Sequence, residues 1–135
     1  MTRTNVIRNS ETLGDRALNI LAVDDSEVIL EFVTSVLEDA GHTVYQASSA
    51  AAAIDALDAN SVDLVMTDIN MQGTDGYALA RNLRDSDRFG SIPIVFVTGD
   101  ASEEFKSKCH SAGGNGWLKK PFKPEQMLGV IKTYA

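Results

Sequence analysis

The sequence predicts an open α/β domain in which a parallel β-sheet carries helices on both faces. Short continuous apolar runs alternate with longer stretches of helical period, and five such pairs can be counted. Glycines punctuate the returns, at Gly41, Gly90 and the run "AGGNG". Short connections and right-handed crossovers then favour a doubly wound arrangement. A chain of 135 residues with 44% hydrophobic content suits one such domain with a proper core.

Residues 1–17, "MTRTNVIRNSETLGDRA", show neither helical nor strand periodicity and are expected to form a flexible arm or to be a vector remnant, with the folded domain spanning residues 18–135. The first strand is expected over Asn19 to Val23, followed by a helix whose apolar stripe is Val28, Phe32, Val33, Val36, Leu37 and Ala40. Thr43 to Ala47 reads as a second strand, half polar and therefore suited to a sheet edge. Ala50, Ala53, Ile54 and Leu57 form the next stripe. Asp63 to Asp68 is the third strand, and Leu79, Ala80 and Leu83 mark the third helix. Ile92 to Thr98 is the fourth strand. Ala101, Phe105, Cys109 and Ala112 predict a fourth helix capped by Ser102 or Asp100. Gly116 to Leu118 and the stripe Met127, Leu128 and Ile131 complete the series.

The bulk properties exclude several function classes. A net charge of −7 and a pI near 4.7 oppose non-specific binding to nucleic acid or to anionic membrane, both of which require a basic face. The single cysteine, Cys109, cannot form an internal disulfide and fits the fourth stripe as packing. With no apolar leader and no run long enough to cross a bilayer, a cytoplasmic location is expected. His42 and His110 fall in or near turns without a local nucleophile or metal partner and are expected to face solvent. "GGNG" precedes a strand, so it is a turn and not a dinucleotide fingerprint.

In a parallel sheet the residues that end each strand collect along one edge, where such folds bind ligands. The strand ends supply Asp24 and Asp25, then Asp68, then Thr98, then Lys119 and Lys120. Singly, each has a plain explanation: a helix cap, a β-branched strand end, a solvated turn. Together, three carboxylates at one edge repel one another unless a cation sits among them. Oxygen ligands without histidine suit Mg²⁺, which keeps several waters and often shares its shell with phosphate. An exposed Asp68 carboxylate with a lysine and a threonine hydroxyl at hand has the parts that phosphoryl transfer requires.

The pieces "ILAVDDS", "DLVMTDINM" with "DG" after it, "IPIVFVTG" and "GWLKKPFKPEQML" occur in this order over residues 18–135. In that order and spacing they resemble the receiver domain of two-component response regulators, with chemotaxis regulators among the most similar. The resemblance implies a flavodoxin-like sheet of order 2-1-3-4-5. It also makes Asp68 the phospho-acceptor, Asp25 a direct Mg²⁺ ligand, Asp24 a ligand acting largely through water, and Asn70 the donor of a backbone carbonyl. Thr98 and Lys120 would each bind a phosphoryl oxygen, and the Lys120–Pro121 bond would be cis. Trp117 occupies the position of the family's switch aromatic, where tyrosine or phenylalanine is commoner; it either turns inward with Thr98 or packs at the sheet edge. Gln72 stands where the family usually has proline and Thr74 where it has a bulky apolar residue, which would loosen that loop. Gly99 would leave room for the phosphoryl group, and Asn70 with Asp100 would flank the attacking water and favour a short-lived phosphate.

The expected function is a single-domain switch that accepts a phosphoryl group from a sensor histidine kinase or histidine phosphotransfer protein. It would catalyse only its own phosphotransfer and autodephosphorylation. Because the chain ends about one helix after the last strand, output is expected through a contact surface on the fourth helix, fifth strand and fifth helix, by a monomer or a weak phosphorylation-dependent dimer. Alternatives are a phosphorelay shuttle and an aspartate-nucleophile phosphohydrolase of the haloacid dehalogenase type. The latter places its nucleophile after the first strand in a D-x-D pattern, which "VDDS" lacks.

Overall fold

The computed structural model describes residues 16–71, 75–99 and 102–135. The expectations for Gln72, Thr74, Asp100 and Ala101, and for the arm before Arg16, lie outside these residues. The elements alternate: β1 (Asn19–Val23), α1 (Glu27–Asp39), β2 (Thr43–Ala47), α2 (Ala50–Ala59), β3 (Leu64–Asp68), α3 (Gly76–Arg84), β4 (Ile94–Thr98), α4 (Glu103–Ser111), β5 (Gly116–Lys119) and α5 (Pro124–Lys132). All neighbouring strands pair in parallel, and the sheet order is β2-β1-β3-β4-β5. This is the doubly wound, flavodoxin-like 2-1-3-4-5 arrangement.

Alternation along the strands divides the interior into two cores. Leu21, Val23, Val65, Ile94 and Phe96 meet α2, α3 and α4 through Ala53, Leu57, Leu79, Leu83 and Phe105. Ile20, Ala22, Leu64, Met66, Val95, Val97 and Leu118 face α1 and α5 through Leu30, Val33, Leu37, Met127 and Ile131. β3 and β4 are buried along their whole length, as central strands with both faces covered must be. The half-polar β2 lies at an edge, where its outward residues meet solvent.

Several boundaries and faces differ from the sequence expectation. β3 starts at Leu64, because the Asp63 side chain accepts the Asn19 amide at 2.8 Å and its own amide donates to the Asn19 carbonyl at 2.7 Å, outside the ladder. β4 starts at Ile94, after Pro93, which has no amide proton to give. β5 runs one residue further, to Lys119. On α1 the buried stripe is Leu30, Val33 and Leu37, a spacing of three and four, whereas Val28 is 74% and Phe32 38% exposed. His42 does not simply face solvent: its Nδ1 accepts the Leu18 amide at 3.0 Å, and burial lowers its pKa. Ser102 caps α4 by accepting the Phe105 amide.

Candidate functional site

The C-terminal ends of β1, β3 and β5 bring Asp24, Asp68 and Lys120 together. Lys120 Nζ lies 3.4 Å from Asp24 Oδ2 and 3.3 Å from Asp68 Oδ1. Asp25 joins them, so that one carboxylate oxygen from each of Asp24, Asp25 and Asp68 lies within 4.8 Å of the others. These residues come from segments up to 96 positions apart in sequence, and only the parallel direction of the strands places them on one rim.

Each side chain is fixed by local backbone. The Asp24 amide donates to the Ala47 carbonyl at 3.1 Å, while its Oδ1 accepts the Ser26 amide at 2.9 Å in an Asx-type turn. Ser26, not either aspartate, caps α1 by accepting the Ile29 amide. Asp24 is thereby freed from the capping role and points its second oxygen at Lys120. Asp68 Oδ1 accepts the Ile69 amide at 2.9 Å. Lys120 follows β5 directly; its amide donates to the Thr98 carbonyl at 2.6 Å, and its peptide bond to Pro121 is cis. Thr98 ends β4 as a buried residue, one position beyond the partner of Asp68, Val97.

The Asp68 side chain is only 9% exposed, where the sequence suggested an exposed carboxylate. The reason is its position at the end of a strand covered on both faces, under the bridging Lys120. Burial raises its pKa above the ordinary carboxylate value. The Asp24 charge adds to this, and the Lys120 ammonium and the Ile69 amide oppose it. One ammonium shared between two carboxylates cannot neutralise both. An oxygen-only set of three acids, two of them buried, therefore fits a hard divalent cation such as Mg²⁺.

One supporting residue carried no functional signal in the sequence beyond its place in the "DG" pair. Gly76 is the first residue of α3, after the capping Asp75, and its amide donates to the Ile69 carbonyl at 2.8 Å. A Cβ there would collide with the Asp68 carbonyl oxygen and lie 3.0 Å from Ile69 Cα. The glycine is thus required by the close approach of α3 to the end of β3, which fixes the backbone of Asp68. Asn70 is exposed two residues beyond Asp68, and Trp117 is 40% exposed on the outer strand, packed edge-on against Phe105.

Residues 20–132 match the response regulator receiver domain family. The chain belongs to that family. Among solved structures, the chemotaxis response regulator CheY4 of Vibrio cholerae superposes on this receiver domain with a TM-score of 0.85 at 31% identity, covering 89% of this chain and 100% of that one. Among curated proteins, the response regulator Rre1 of Synechocystis is 34% identical over 117 residues, 86% of this chain and 51% of its own length. The sensor histidine kinase GacS of Pseudomonas protegens is 35% identical over 128 residues, 93% of this chain and 14% of the kinase. The receiver domain therefore spans about half, or much less, of the curated relatives it matches.

Proposed function

We propose that this receiver domain is a phosphorylation switch whose acceptor is Asp68. The observation that carries the reading is the buried Asp68 carboxylate, bridged by Lys120 to Asp24 and grouped with Asp25 at the carboxyl rim of the sheet. An Asp68 oxygen attacks the phosphorus of a phosphohistidine on a sensor kinase or phosphotransfer protein. The P–N bond breaks, its electron pair stays on the imidazole nitrogen, and that nitrogen takes up a proton as the acyl phosphate forms. Hydrolysis reverses the state: water attacks phosphorus, the P–O bond to Asp68 breaks, and inorganic phosphate leaves.

Lys120 and the Thr98 hydroxyl receive the transferred group's oxygens, where negative charge gathers. Asp24, Asp25, Asp68 and the Asn70 carbonyl would hold Mg²⁺, which when bound supplies positive charge to the same oxygens. The exposed Val28 and Phe32 on α1 offer apolar contact to a donor beside the rim. Phosphorylation adds about −1.5 to −2 in charge and favours a state in which Thr98 and Trp117 shift together, altering the α4, β5 and α5 surface read by a protein partner. Similarity to CheY4, a chemotaxis protein, supports chemotaxis as one pathway that such a surface could serve.

Acetyl phosphate with Mg²⁺ should label the wild-type protein, and Asp68→Asn should abolish the label. Retained labelling would move the acceptor elsewhere. Steady turnover of an added phosphomonoester would instead identify a phosphohydrolase.

A further inference from the structure

Trp117 is the single tryptophan of the chain, and two consecutive residues of α4 hold its ring. Phe105 meets it edge-on, with centroids 6.3 Å apart and an interplanar angle of 82°. Lys106 places its ammonium 5.1 Å from the centroid of the indole. Glu103, one turn earlier, steadies that ammonium at 3.6 Å. The contact with Phe105 continues inward, through Tyr77 at 6.5 Å to Phe96 at 5.3 Å from Tyr77.

Strand register connects this cluster to the phosphoryl site. Trp117 pairs with Phe96 and Lys119 with Thr98, so alternation puts Trp117, Phe96 and Thr98 on the same face of the sheet. The indole, 40% exposed, is therefore held outward by two contacts from α4.

We infer that Lys106 is a latch: its ammonium on the indole face stabilises the outward state of Trp117 and so raises the threshold for switching. The inference rests on the reading of Thr98 and Trp117 as the responsive pair. The cation–π contact exists only while the ring is outward, so it weights the equilibrium toward the resting state. By linkage, any ligand of the phosphoryl site that favours the shifted state must work against it. An exposed contact of this type shifts a population by about two- to fivefold, and the apparent affinity for a phosphoryl analogue changes by the same factor when the shifted state is scarce. Lys106 is a positioning residue, since it touches Trp117 and not the reacting atoms.

The test is a titration of Trp117 fluorescence with beryllofluoride in Mg²⁺, together with the rate of labelling by acetyl phosphate. Lys106→Gln should lower the half-saturating beryllofluoride concentration and raise the labelling rate, each about two- to fivefold. Lys106→Arg, which keeps a cation over the ring, should stay near wild type. Lys108→Gln is the matched control, because it removes one charge from the same helix and an analogous pair to Glu104 at 3.8 Å. Identical midpoints for wild type and Lys106→Gln, or an equal shift in Lys108→Gln, would overturn the latch. A failure of the underlying switch has a different signature: no saturable response to beryllofluoride and no acetyl phosphate label in wild type.

Discussion

Asp68 is held in a state that costs stability. Its pKa is raised chiefly by burial, so the folded protein binds this proton more tightly than the unfolded chain does. The contribution to stability is then full below the unfolded value of 3.8 and is lost as pH rises through the raised folded pKa. At neutral pH without divalent cation, Asp68→Asn should therefore raise the melting temperature, because asparagine can still accept the Ile69 amide while removing a buried charge. The advantage should close as pH falls toward 3.8, where wild type regains its proton. Melting curves of both proteins across that range check the sign; a variant less stable than wild type at neutral pH would show that the Lys120 bridge outweighs burial. Stability given up at the proposed acceptor would match a common exchange in functional sites. The same residue depends on Gly76, whose missing Cβ lets α3 approach the Asp68 carbonyl.

At the scale of elements, the rim was legible because polar residues interrupt apolar runs at the same relative place, where a strand gives way to a loop. Asp24, Asp25, Asp68, Thr98 and Lys120 all announce themselves in that way. What stayed hidden were contacts between elements. Val28 and Phe32 are as apolar as Leu30 and Val33, and only the docking of α1 decides which pair faces the sheet. Arg84 is a second case, an ordinary basic residue in the last turn of α3 by sequence. Its guanidinium donates to the carbonyls of Gly113 at 2.9 Å, Gly90 at 3.1 Å and Ile92 at 2.8 Å, and to Asn115 Oδ1 at 2.8 Å. Asn115 Oδ1 also accepts the Ile94 amide, and Gly113 adopts a φ of 91°. One side chain thus ties the end of α3 to the loops that open β4 and β5. Arg84→Lys keeps the charge but has no planar fork, and should destabilise the domain by about 1–3 kcal/mol. Denaturant unfolding reads this directly; a loss under about 0.5 kcal/mol, the range of ordinary surface changes, would mean that water replaces the fork at no cost.

For the molecule as a whole the net charge is −7, and folding brings three of its 19 acidic residues, Asp24, Asp25 and Asp68, to one rim. Unfolding disperses these acids, so a divalent cation that needs all of them binds the folded state and not the unfolded one. Linkage then requires Mg²⁺ to stabilise the protein, by about 1.4 kcal/mol at ten times its dissociation constant. For a domain of this length that corresponds to a rise in melting temperature on the order of 5 °C. General screening of the negative charge would produce a rise as well, and the two causes separate at constant ionic strength, where NaCl replaces MgCl₂. The site-specific part should persist in that comparison and shrink in Asp68→Asn, which removes one carboxylate of the proposed metal set and part of the repulsion an ion would relieve. Equal melting temperatures with and without millimolar Mg²⁺ at matched ionic strength would show that Lys120 alone satisfies the rim. The three acids would then be a charge cluster without a metal.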